Sequence, residues 1–248
     1  MPIFDEHRRG FLGRLASGAL ALAGLASLDA GTARAATLLA GDAGAPAGPG
    51  RDAADSPYDD RWTDRVRAAK HKAVFDSPDV NDGLALLQPW IFRSGYRAAL
   101  QAAPEEIVPV VVLRHQGTAL AMDDAIWAKY AFGTDRKVTD PATGKPAERN
   151  PWARRREGET PDPTFEAVLG GPVDPTVAGV LAMGGVVLAC EVAMKSFSRM
   201  LAKKVKGDAP AIFAELRAGV IPGVLVQPSG VYATTRAQEA GCTFMRSN

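Results

Sequence analysis

Only two cysteines, Cys190 and Cys242, occur in the 248 residues. That excludes a fold stapled by a disulfide framework. Histidine is nearly as scarce, with His7, His71 and His115 the full set. No CxxC or HExxH spacing is present, and the ionisable residues closest to a histidine or cysteine at a strand end are Asp76 and Glu191. The pattern therefore calls for no metal and no cofactor. A dinucleotide GxGxxG, a P-loop and a GxSxG elbow are also missing, and "GVLAMGG" reads as a helix end rather than a phosphate cradle. Charge of one sign is not in surplus. Lys and Arg number 29 against 28 Asp and Glu, and beyond residue 35 the two are equal. Nothing in that balance favours a nucleic-acid partner. Beyond the N-terminal region no apolar run is long enough for a membrane span.

The first residues, "MPIFDEHRRGFLGRLASGALALAGLASLDAGTARAAT", place a short charged region before an Ala/Leu/Gly-rich stretch and a small-residue cleavage pattern. This order is that of an export signal cleaved after Ala35. Arg8 and Arg9, followed by Gly10-Phe11-Leu12, resemble the twin-arginine signal, with His7 where Ser or Thr is usual. The expectation is a signal over 1–35 and a periplasmic or otherwise exported protein. A retained membrane anchor is the alternative, opposed by Arg14, Asp29 and many glycines. Residues 36–57 are Ala/Gly/Pro-rich and read as a flexible linker. The domain then occupies 58–248.

Within it, strand and helix patterns alternate. "HKAVFDS" (71–77), "EIVPVVVLRH" (106–115), "VVLAC" (186–190), "VIPGVLVQ" (220–227) and "CTFM" (242–245) read as strands. Pro222 and Gly223 confine the fourth to about 224–227. The unbroken apolar run at 106–115 is that of a strand covered on both faces. Residues 80–101 have helical spacing, with Leu84, Leu87, Ile91 and Tyr96 near one face and Pro89 as a kink or boundary. Residues 118–132, 175–185, 191–204, 208–219 and 229–241 read as further helices. The expected fold is α/β, a three-layer α/β/α sandwich around a mainly parallel sheet of about five strands. The polar, Pro-rich segment 133–163 interrupts the alternation and reads as a lid, a contact surface or a disordered excursion. Trp152 within it argues for docking.

In such a sheet, ligands collect outside the carboxyl ends of the strands. Those ends carry Asp76 and Ser77, then His115, Gln116 and Gly117, then Cys190 and Glu191, then Ser229 and Gly230. Cys190 directly precedes a helix, whose first amides would stabilise a thiolate, while the Glu191 carboxylate opposes it. A buried, inert cysteine is the competing reading. His115 is a candidate base for that thiol or a structural strut. Ser229 is a candidate helix cap or anion contact. Cys242 precedes its strand and falls at the opposite edge, so a Cys190–Cys242 disulfide is disfavoured.

The segments "KAVFDSPDVNDGLALLQPWIFRSGY", "VVVLRHQGTAL", "LAMGGVVLACEVAM" and "VLVQPSGVYATTRAQEAGCTFM", taken in that order, resemble the DsrE/DsrF-like family over residues 70–248. The cysteine after the third strand and the final "PSGV" stretch are the most specific parts. The resemblance implies an α/β/α sandwich, assembly as a homo-oligomer (trimer or hexamer), and sulfur relay through a persulfide on Cys190. Partners would be small sulfur species or a thiol partner protein. The chain departs from the family in its export signal, its 133–163 insertion and its "RHQGTAL" turn. A non-catalytic oligomeric scaffold using 133–163 as a partner surface is the alternative reading.

Overall fold

A computed structural model describes residues 56–140, 143–159 and 163–247. The expected signal and all but the last two residues of the expected linker lie outside the described residues. The chain begins with α1 (Trp62–Ala68) and β1 (His71–Ser77), then α2 (Leu84–Leu100) and β2 (Ile107–Leu113). A 3-10 turn (His115–Ala121) leads to α3 (Asp124–Tyr130), α4 (Phe132–Arg136), α5 (Pro163–Leu169) and α6 (Val177–Ala182). Next come β3 (Val186–Cys190), α7 (Glu191–Val205), α8 (Ala209–Ala218), β4 (Leu225–Gln227), α9 (Gly230–Glu239) and β5 (Thr243–Arg246).

The five strands form one sheet in the order β4-β3-β2-β1-β5, and every pairing is parallel. Side chains alternate across a strand, and here both sets are apolar. Ala73, Phe75, Val111, Leu113, Val187 and Ala189 pack with α2, α3, α6, α7 and α8. Val74, Val108, Val110, Val112, Val186 and Leu188 pack on the other face with Trp62 and Val66 of α1 and Ala233 and Ala237 of α9. This is the expected three-layer sandwich. The β-branched run of β2 is its central consequence, since all seven residues of that strand are buried. Each fully buried valine contributes roughly 2 kcal/mol of transfer free energy.

Element edges differ from expectation where tertiary contacts recruit the chain. Residues 118–132 are not one helix. Ile221 donates its amide to the Ala121 carbonyl at 2.9 Å, Asp123 donates to Gly219 at 2.8 Å, and Met122 bridges Val220. Those bonds hold 122–123 extended, so α3 starts afresh with the Asp123 carboxylate accepting from the Ile126 amide. The buried face of α2 is also shifted. Ala85, Leu86 and Pro89 are its buried residues, Phe92 packs beside them, and Ile91 is exposed. The series 85-89-92-96 is as regular as the one expected. Edge-on packing of Phe92 on Phe75 and on Tyr96 selects it. Pro89 lies in the second turn of the helix rather than at its boundary.

The 133–163 segment is tied to the core at several points. Buried Asn150 donates to the carbonyls of Leu120 (2.9 Å) and Met122 (2.7 Å). Trp152 packs edge-on against Trp127 with centroids 6.3 Å apart, and Ala147 and Ala153 are buried. Its charged residues Lys145, Glu148, Arg149 and Arg154 are exposed. Among the described residues no helix is long and apolar enough to cross a membrane.

Candidate functional site

The connection after β3 runs to α7 on one face of the sheet, whereas the connection after its neighbour β4 runs to α9 on the other. Adjacent strands whose connections depart to opposite faces leave a crevice between their carboxyl ends. Cys190 ends β3 and Ser229 follows β4, so the two flank that crevice. A cleft of about 340 Å³ opens there. Arg114, His115 and Gln116 from the end of β2 form one side. Cys190, Ala193 and Phe197 of the β3–α7 unit form the second, and Ser229, Gly230 and Val231 the third.

Each wall has a local cause. Cys190 is the N-cap of α7, and its sulfur accepts the Ala193 amide at 3.3 Å. Ser229 caps α9 through its hydroxyl oxygen, which accepts the Tyr232 amide at 3.0 Å. Two helix N-termini thus face one cleft, and both favour negative charge. Gly230 is required because a Cβ there would stand 2.3 Å from the Arg114 Cβ. His115 and Gln116 are exposed, and His115 holds a left-handed backbone (φ 46°). Strain of roughly 1 kcal/mol is expected for a non-glycine residue in that region.

Arg114 is the residue that strand-end reasoning did not single out. Its Nε and Nη2 donate to the two carboxylate oxygens of Asp76 at 2.5 and 2.6 Å. Asp76 is 2% exposed, so this is a bidentate pair with its acid end sealed under the cleft floor. The Asp76 carboxylate raises the Arg114 pKa against the opposing pull of burial, and the neighbouring Cys190 sulfur adds to the rise. Asp76 therefore positions Arg114 and does not itself line the cleft.

Three other expected site residues have structural work elsewhere. The Ser77 hydroxyl donates to the Asp79 carbonyl at 2.7 Å. Gly117 lies so close that a Cβ would meet the Ser77 carbonyl oxygen at 2.4 Å, which locks the turns after β1 and β2 together. Glu191 is turned away from the cleft. It accepts from the Tyr58 hydroxyl at 3.1 Å and pairs with Lys195 and Arg217. Burial pushes its carboxyl pKa up, but hydrogen bonds from Lys195 and Tyr58 outweigh that and hold it below its ordinary value. The Glu191 charge is thus balanced by its own cations, Lys195 and Arg217.

Cys190 is 6% exposed while lining the cleft, so its sulfur sits at the base rather than on the surface. Val192, Met200 and Val231 form an exposed apolar rim. Val192, Ser196 and Met200 recur at the four-residue spacing that keeps one helix face. Cys242 is buried in the core under α9, and both cysteines are free. Strands β2 and β1 lie between β3 and β5, which sets those strands roughly 14 Å apart. Among the described residues no group of three or more His, Cys, Asp and Glu could hold a metal ion. No protein-family model, curated protein or solved structure matches the chain.

Proposed function

We propose that the protein carries or transfers sulfane sulfur on Cys190, in line with the resemblance of its sequence to the DsrE/DsrF-like family. The observation that supports this reading most is the placing of the one cysteine at a strand end within the crevice where β3 and β4 diverge. Amide, guanidinium and imidazole groups share that cleft, and the first two favour an anion on sulfur.

In the proposed step His115 takes the Cys190 thiol proton, and the thiolate attacks the outer sulfur of a donor persulfide, R–S–SH. A new S–S bond forms on Cys190, the donor S–S bond breaks, and the electron pair leaves with R–S⁻. The proton held by His115 passes to that thiolate, so charge and atoms balance. Oxidation state moves only between sulfurs, and no further oxidant is required. Export through a twin-arginine-type signal and assembly into a homo-oligomer belong to the same proposal.

Mass spectrometry after incubation with a low-molecular-weight persulfide is the test. The expected result is a gain of one sulfur atom on Cys190 and none on Cys242. Cys190→Ser is the matching control, since a hydroxyl can still accept the Ala193 amide and keep the cap. A wild-type Cys190 that takes no sulfur and resists alkylation until the protein is denatured would overturn the reading.

A further inference from the structure

A second cleft, of about 360 Å³, lies between α2 and the connection from α5 to α6. Arg93 and Arg97, one helical turn apart on α2, both line it. The cleft beside α1 holds matched charge. Around Asp59, Asp60 and Asp64, each carboxylate has its own arginine. Arg93 and Arg97 have no carboxylate within ion-pair distance among the described residues. Asp174 borders the cleft, but its carboxylate accepts the Thr176 hydroxyl at 2.9 Å.

Arg93 is held by a single bond, Nη1 donating to the Met183 carbonyl at 3.2 Å. Its Nε–H is buried with no acceptor. An orphaned buried donor calls for a partner. That Nε–H is sealed from the cleft, so a ligand there would meet the terminal Nη groups of Arg93, which can donate to oxygens of a carboxylate or phosphate. Burial and then the Arg97 charge push the Arg93 pKa down, and a bound anion would oppose both.

Apart from Ser94 and Asp174 the rest of the cleft is apolar, and hydrogen bonds fix two of its side chains. The Trp90 indole N–H donates to the Asp174 carbonyl at 2.9 Å, and the Ser94 hydroxyl donates to the Leu169 carbonyl at 2.9 Å. Pro172, Val173 and Met183 complete the wall. A Cβ on Gly171 would meet nothing within 4 Å, so packing does not require glycine at this lining position.

We propose that this cleft binds an oxyanion carried on a small apolar or aromatic body. Arg93 and Arg97 hold the oxyanion, and Trp90, Pro172 and Met183 contact the body. The proposal is independent of the chemistry at Cys190. Isothermal titration of the full chain at low ionic strength, with phenyl phosphate, benzoate, inorganic phosphate and phenol, tests it. Saturable binding of phenyl phosphate or benzoate is expected, with the tighter of the two identifying the headgroup. Inorganic phosphate should bind about tenfold more weakly, and phenol not at all. Arg97→Met should weaken binding by about tenfold, and adding Arg93→Met should abolish it. No saturable binding of either aromatic oxyanion to the wild type would overturn the proposal. So would full affinity in the double variant. Should Arg93→Met fail to fold, unchanged affinity in Arg97→Met, where the side chain is exposed, would overturn it equally.

Discussion

Asp76 and Arg114 show how one buried carboxylate shapes the site without touching what enters it. With Asp76 sealed and Arg114 largely covered, removing the cation leaves an uncompensated buried charge. Arg114→Met is expected to lower stability by about 3 kcal/mol in urea unfolding. Arg114→Lys should recover only part of that, because an ammonium cannot reproduce the two-bond fork. The cysteines differ in the same physical terms. Burial pushes the Cys242 thiol up to about 11, with Lys72 pulling slightly the other way. A thiol whose folded pKa is raised keeps its stabilising contribution below the unfolded value and loses it as pH climbs. The Cys242 contribution to stability should therefore fall by about 2 kcal/mol between pH 9 and 11. Cys242→Ala should lack that component, measured as the difference between unfolding curves at the two pH values.

Helix capping links single residues to the geometry of α7 and α9. Ser229→Ala removes the acceptor for the Tyr232 amide and is expected to cost about 1 kcal/mol, read in urea unfolding. Cys190→Ala removes the corresponding acceptor on α7, whereas Cys190→Ser keeps one. A melting temperature lowered in the first and nearly preserved in the second would separate the capping role of this position from its thiol chemistry. The same comparison asks whether any loss of sulfur loading comes from chemistry or from a frayed helix.

Across the whole molecule, Glu191 joins its own helix to two distant parts of the chain. Tyr58 precedes α1, Lys195 belongs to α7 and Arg217 to α8, and all three meet its carboxylate. Its folded pKa lies below the ordinary carboxyl value, so its contribution is complete above the unfolded pKa near ~4.3 and is lost as pH falls through the lower folded value. Acid unfolding of Glu191→Gln should show a shallower dependence below pH ~4 than the wild type. An unchanged acid limb would mean that these contacts add nothing to stability. The position beside Cys190 is thus a joint between layers, although its sequence neighbour faces the cleft.

Apolar runs and local chemistry determined a large share of this protein before any contact was known. The β-branched run at 107–113, the apolar run ending at Cys190, and a cap such as Ser229 are properties of short stretches. They place strands, helix starts and the carboxyl edge of the sheet without reference to distant residues. From them the α/β sandwich and the co-location of His115, Gln116, Cys190, Ser229 and Gly230 were legible. Side-chain direction was not, because it depends on partners far along the chain. Glu191 and Cys190 are adjacent in sequence, yet one turns to Tyr58 and Arg217 and the other to the cleft. Arg114 became a cleft residue only because Asp76, 38 positions earlier, anchors its guanidinium. The break at 122–123 exists only because 219–221 supplies its hydrogen bonds. Local pattern sets where the backbone can go, and long-range pairing of charge and backbone groups decides which way each side chain faces.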